Sequence, residues 1–191
     1  MEALALILYV IIILISISIH EFAHAKAADV LGDPTPRLSG RLTLNPLAHL
    51  DPIGFLMLLI IRIGWAKPVP INPYNFKNPN TGMMIVGLAG PFSNFIIAWV
   101  LAIFLRNIPA PHYLLYDALT AAIWINLALM VFNLLPIPPL DGSRIFTQYL
   151  PIETQMYLER YGFIILVMIL LFPPTQQLLS LLIGLLYRLI A

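Results

Sequence analysis

Residues 3–31, 83–105 and 118–135 are long apolar runs with few breakers. Each matches the roughly 20 helical residues needed to cross a hydrocarbon core. A bilayer offers no water to unpaired backbone groups, so such runs can fold only as helices that satisfy their own N–H and C=O groups. Two further apolar segments, 157–172 and 177–190, are broken at Pro173-Pro174 and read as a terminal helical pair. Only 10% of the 191 residues are charged and 60% are hydrophobic, against about 25% charged in an ordinary soluble domain. These features predict an all-α polytopic membrane protein with about five transmembrane helices.

The stretches between the runs are short. Residues 52–63 are apolar but span only a dozen positions, the length of a re-entrant or interfacial segment. Residues 36–46 alternate Leu38, Gly40, Leu42 and Leu44 with Ser39, Arg41 and Thr43 and end at Asn45-Pro46. That period of two predicts a small β-hairpin or strand. Residues 142–150 are expected to form a short helix. No polar linker separates two folding units, so residues 1–191 read as one domain with no appended soluble module. The N-terminal run lacks a basic n-region and a small-residue cleavage site, and is expected to be retained.

Of the ten Lys and Arg residues, all but Arg106 fall on one side if 52–63 does not cross: Lys26, Arg37, Arg41, Arg62, Lys67, Lys77, Arg144, Arg160 and Arg188. The positive-inside rule then predicts a multi-pass protein of the cell membrane with its N-terminus outside and the end of the first helix toward the cytoplasm. The net charge of +1 is scattered, and no basic stripe with exposed aromatics supports nucleic-acid binding. There is no cysteine, so any metal must be held by His, Asp or Glu.

Near the end of the first apolar run stands His20-Glu21-Phe22-Ala23-His24, an H-E-x-x-H pattern. At 100° per residue the two histidines lie about 40° apart and one turn from each other, so their rings can converge on a single ion. Glu21 can reach a water held at that ion and serve as a general base. Zinc suits such ligands and lowers the pKa of its water toward about 7. Three ionisable groups in one apolar span cost several kcal/mol each to bury, which marks them as functional or paired.

A third ligand is required. Asp29 points to the opposite side of the helix from His20, and His112 belongs to the opposite membrane face. Asp33, Asp51 and Asp117 read as turn or cap residues, and Glu153 and Glu159 as interfacial charges. Asp141 ends NLLPIPPLDG, where Pro136, Pro138 and Pro139 are expected to hold an extended, non-helical backbone that aims the carboxylate. Two crossings separate it from the first helix, which returns it to the face that carries the histidines. A competing role for Asp141 is to N-cap the helix that follows. His49 reads as a turn histidine bonded locally, and Asn133 as a support for the proline loop.

HEFAH in one span, GPFSN in a middle span and NLLPIPPLDG after a later one resemble the site-2 protease family of intramembrane metalloproteases. The segments RLTLNPLAHLDPIG and GWAKPVPINP are similar to those of its small subclass without PDZ or CBS domains. The resemblance implies one Zn2+ per chain held by His20, His24 and Asp141, with Glu21 as catalytic acid/base. It also implies a part for Asn94, the family's middle-span asparagine, in holding a substrate carbonyl or stabilising the oxyanion. A side-chain amide within a span has the chemistry for that, while Gly87 and Gly90 permit close helix approach. Expected partners are the lipid bilayer and transmembrane protein substrates, such as membrane-tethered regulators or signal-peptide remnants. Two other readings compete: a catalytically silent protein that binds membrane substrates, and an ion- or proton-handling transporter. The transporter lacks support because no internal repeat is present.

Overall fold

The structure, a computed structural model, describes residues 2–61, 64–109 and 112–191. Arg62, one of the charges that orient the chain, lies outside them. Nine α-helices follow in order among the described residues: α1 (Glu2–Val30), α2 (Thr35–Leu38), α3 (Pro46–His49), α4 (Pro52–Ile61), α5 (Pro79–Asn107), α6 (Tyr113–Asn133), α7 (Ser143–Phe146), α8 (Ile152–Leu171) and α9 (Pro173–Ile190). Four are long and apolar enough to cross a membrane: α1 from Leu6, α5, α6 and α8. The fifth expected crossing does not meet that standard. α9 has 18 residues and carries two prolines, two glutamines and Arg188 among its leucines, so its polar content lowers it below its four companions.

α1, α5 and α6 form the centre. His20 of α1 meets Asn94 of α5, and four residues later His24 meets Val86. Rising numbers on one helix face falling numbers on the other, so the two run antiparallel. Asn94 meets Asn126 of α6, and Ala98 and Ala102 pack with Ile123 and Leu127, an antiparallel α5–α6 pair brought close by small residues. α1 and α6 are therefore parallel and finish at the same end, which brings the loop carrying Asp141 to the histidines. α9 closes the far side through Ile190, with Tyr187 stacked 5.2 Å from Trp124.

The outer surface is apolar. Ile7, Ile11 and Ile15 on α1, Trp99 and Phe104 on α5, and Phe163 and Met168 on α8 are all exposed. Contiguous apolar exterior of this kind suits a hydrocarbon solvent. The polar side chains instead turn inward: Ser16, Ser18, His20, His24, Asn94 and Asn126 are buried.

Two local expectations need correction, and a third, the short 52–63 segment, is consistent with its re-entrant or interfacial reading. Residues 36–46 contain no strand. Pro36 sits in the first turn of α2, Gly40 takes a left-handed φ of 68°, and Arg41 N–H returns to the Pro36 carbonyl at 2.8 Å. Asn45 then caps α3 by accepting from Leu47 N–H. Leu38 and Leu44 point outward instead of lining one sheet face, 80% and 56% exposed, while Leu42 is half-buried. The one β pairing among the described residues is an isolated antiparallel bridge between Leu50 and Ala66. It decides the fate of α4: with Lys67 N–H donating to the His49 carbonyl at 2.9 Å, the two ends of the 51–65 excursion are held together. α4 has 10 residues, about 15 Å of helix, and leaves and returns at one place. Finally, the proline segment is a compact turn rather than extended backbone, closed by Gly142 N–H to the Asn133 carbonyl at 2.7 Å.

Two buried charges fasten these connections to the bundle. Asp33 accepts from Thr35 N–H and Oγ1–H, from Asn72 N–H and from Asn75 Nδ2–H. The Arg41 guanidinium donates to the carbonyls of Ala48 and Lys67. The segment from Gly64 to Ile71 is thereby stretched along one wall of the cavity described next.

Candidate metal centre

His20, His24 and Asp141 come together at the end of the bundle, all three buried. His20 Nε2 and His24 Nε2 are 3.0 Å apart, and each lies 3.0 Å from Asp141 Oδ2. The other ring nitrogens are spoken for. His24 Nδ1–H donates to the Val86 carbonyl at 2.7 Å, and His20 Nδ1–H donates to Asn94 Oδ1 at 2.6 Å. A neutral imidazole has one proton, so both Nε2 atoms present bare lone pairs to each other and to the carboxylate.

Three acceptors at mutual van der Waals range with no proton between them repel, and a cation resolves the conflict. Zinc bonds of about 2.0–2.1 Å in a tetrahedron place ligand atoms about 3.3 Å apart, close to the triangle seen here. The donor set therefore fits zinc: two imidazoles and a carboxylate, with no thiolate required. Outer partners on the Nδ1 atoms are what metal-binding histidines ordinarily have. A bound cation would keep the Asp141 carboxylate ionised, as a ligand must be.

Space for the rings comes from α5. A Cβ built on Gly90 would fall within 2.6 Å of His20 Nε2 and closer still to His24 Nε2. Gly87, one turn earlier, lies against the Asp141 carbonyl and the Arg144 side chain. Gly142 is required where a Cβ would strike the carbonyls of Leu134 and Leu135.

The three converging side chains open on a cavity of about 480 Å³. Glu21 lines it beside the histidines, half-buried and with no side-chain hydrogen bond among the described residues. The opposite wall includes Trp65, Val69 and Ile71, and Asn133 and Arg144 reach it from the proline loop side. Asn133 also donates to the Leu129 carbonyl.

Other expectations fall as follows. Asp29 pairs with Arg37 at 3.4 Å, away from the centre. His112 caps α6 at the opposite end of the bundle. His49 bonds locally, Nε2 to the Thr43 carbonyl at 2.8 Å. Asp141 does not N-cap α7, whose N-cap is Gly142 without a side-chain bond. Asn94 is fully buried behind His20, with Oδ1 on the imidazole and Nδ2 donating to Asn126 at 2.9 Å. Its amide is engaged there and does not line the cavity. Sequence reasoning passed over Asn126, although an asparagine in an apolar span carries the signal that singled out Asn94. Arg144 was counted only as a charge that sets orientation.

A family model, Peptidase family M50, matches residues 109–172, which include Asp141 but not the histidines. YwhC of Bacillus subtilis (strain 168), provisionally named a zinc metalloprotease, is 41% identical over 175 residues, covering 86% of this chain and 80% of its own. The chain belongs to peptidase family M50. Rip2 of Mycolicibacterium smegmatis (strain ATCC 700084 / mc(2)155), named in the same way, is 34% identical over 172 residues, with 86% of this chain and 66% of the relative covered. MJ0611 of Methanocaldococcus jannaschii is 36% identical over 94 residues, 49% of this chain and 48% of its own. No solved structure matches. Membership in M50, the site-2 protease family, makes the chain a zinc metalloendopeptidase by class, and its four apolar helices make it a multi-pass membrane protein.

Proposed function

We propose that this M50 protein is an intramembrane endopeptidase, formed by residues 1–191 as one domain, that hydrolyses peptide bonds of transmembrane segments. His20, His24 and Asp141 hold its zinc. The observation that carries this reading is the triangle formed by His20 Nε2, His24 Nε2 and Asp141 Oδ2, 3.0 Å on each side, beside the Glu21 carboxylate, which has no side-chain hydrogen bond among the described residues. Bound zinc supplies Lewis acidity that polarises the scissile carbonyl and acidifies water. Glu21 takes the proton from the attacking water and returns it to the departing amine, the general acid/base role that typically contributes about 10²–10⁴-fold. Asn94 acts through His20, fixing the ring from behind, in place of the oxyanion role that the family resemblance implies.

A transmembrane helix hides its peptide bonds in its own hydrogen bonds, so the substrate must unwind. The irregular 64–71 segment, pinned by Arg41 and by the Leu50–Ala66 bridge, supports a reading in which the unwound strand lies along that wall of the cavity. Substrates are transmembrane proteins, membrane-tethered regulators or signal-peptide remnants among them. Apart from Arg188, whose helix ends beside Arg106 at the other end of the bundle through the Arg106 Nε–Ala191 carbonyl bond, the charge distribution supports a cytoplasmic active site and an external N-terminus.

Purified protein incubated with a transmembrane reporter tests this. Wild type should cleave, while Glu21→Gln should retain one zinc per chain and lose cleavage, as should a chelator-treated sample. Equal cleavage by Glu21→Gln would remove the acid/base assignment, and zinc binding without any cleavage by wild type would favour a silent binder of membrane substrates.

A further inference from the structure

We propose that Asn126 is a positioning residue that sets the tautomer of His20 from across the bundle, using the backbone of α6 as its reference. This rests on the zinc reading of the His20–His24–Asp141 centre. The argument is one of direction. The Ala122 carbonyl can only accept a hydrogen bond, and an Asn126 side-chain atom lies 2.8 Å from it. That atom must be the amide nitrogen, which also donates to Ser16 Oγ at 2.9 Å. Asn126 Oδ1 therefore faces Asn94, and only a donor can sit opposite it, so Asn94 Nδ2 takes the 2.9 Å contact. Asn94 Oδ1 is then turned toward His20 Nδ1, 2.6 Å away, and that nitrogen must carry the ring proton. The proton cannot be on Nε2, which is left bare for a cation.

Each step follows because a carbonyl cannot donate and an amide has one end of each kind. Asn94 and Asn126 are at most 1% exposed and Ser16 only 3%, so no water intervenes to relax the sequence of choices. His24 reaches the same state in one step, because Nδ1 faces the Val86 carbonyl directly. His20 has no backbone carbonyl as its partner, and α6 supplies one through two amides. Without Asn126, nothing fixes which end of Asn94 faces the imidazole. With its nitrogen toward His20, Asn94 would favour the tautomer that cannot bind metal.

Competition for zinc against a chromophoric chelator, using the full chain in detergent, tests the proposal without reference to cleavage. Asn126→Leu should weaken zinc binding about tenfold or more, the range for loss of an outer partner. Asn126→Asp should stay near wild type, since its acid, kept neutral by burial, donates to Ala122 and accepts from Asn94. The deciding comparison is made in an Asn94→Asp background. A carboxylate at 94 accepts from His20 whichever way it turns, so adding Asn126→Leu there should cost no affinity. An equal loss in both backgrounds, or wild-type affinity in Asn126→Leu, would overturn the inference. Melting curves identify variants that fail to fold, and Asn126→Ala, with the same expected direction, replaces leucine in that case. Wild type that binds no zinc would instead sink the metal reading itself, a separate result.

Discussion

Asp33 and Asp141 are both buried carboxylates, 0% and 6% exposed, at the same end of the molecule. Their surroundings have opposite polarity. Around Asp33 every polar neighbour is a donor: Thr35 N–H at 3.0 Å and Oγ1–H at 2.5 Å, Asn75 Nδ2–H at 2.7 Å and Asn72 N–H at 2.7 Å. Asp141 Oδ2 instead faces two ring nitrogens whose protons point elsewhere, and its Oδ1 is 3.9 Å from Arg144 Nε, too far for a hydrogen bond. Burial and residue type do not separate a structural carboxylate from a ligand. The inventory of donors and acceptors does, because one site is complete by itself and the other gathers acceptors that a cation would satisfy.

The largest expected difference between the two is in metal content. Asp141→Ala should lose its zinc and reduce reporter cleavage by about 10³-fold or more, whereas Asp33→Asn should keep one zinc per chain, both read by metal analysis of purified protein. Loss of zinc from the folded Asp33 variant would erase the distinction. Next, Gly90→Ala presses a methyl group into the histidine pair. It should weaken zinc affinity on the order of 10- to 100-fold, the equivalent of about 1–3 kcal/mol of overpacking, while leaving the Asp33 hub intact.

The third test concerns stability. Hydrogen bonds to a charged group contribute about 1.5–3 kcal/mol each, and an amide at position 33 cannot accept all four. Asp33→Asn should therefore cost about 2–3 kcal/mol, measured by thermal unfolding in detergent. Burial raises the Asp33 pKa, but the bonds from Thr35, Asn75 and Asn72 outweigh it and bring it below its ordinary 3.8. A depressed folded value means that stabilisation is fully present above about pH 3.8 and disappears as pH falls through the folded pKa. The melting-temperature gap between wild type and Asp33→Asn should be constant above pH 4 and close below it. A gap that widens on acidification would contradict the donor-only environment. The smallest effect is expected of Arg144→Gln. Since the Arg144 guanidinium does not hydrogen-bond the Asp141 carboxylate, zinc affinity should change only about two- to fivefold, within the range of a partly exposed charge interaction. A much larger loss would mean that Arg144 completes the Asp141 environment after all.

Much of this site was readable along the chain because its chemistry is local. His20, Glu21 and His24 occupy one turn, and helical spacing alone puts both imidazoles on one side. Asp141 could be reached by counting crossings and excluding rivals, since a short connection returns the chain to the same face. The hairpin over 36–46 failed for an equally local reason: alternation was read as a sheet face, while Pro36, Gly40 and Asn45-Pro46 acted as helix starts, a left-handed turn and a cap. The fifth span falls short of the standard its companions meet because the prolines, glutamines and arginine of α9 dilute its leucine-rich pattern.

The order of residues determined by itself that the chain must form helices in lipid, where each helix must satisfy its own backbone, and that one turn of α1 carries two histidines able to converge on one ion. Only the tertiary structure decided what stands behind each ligand. The proton on His20 Nδ1 depends on Asn94, Asn126 and the Ala122 carbonyl, which are contributed by helices 74 to 106 residues further along the chain. Hydrogen-bond direction is a property of groups in contact, and no spacing along one helix reports which atoms of another will face it.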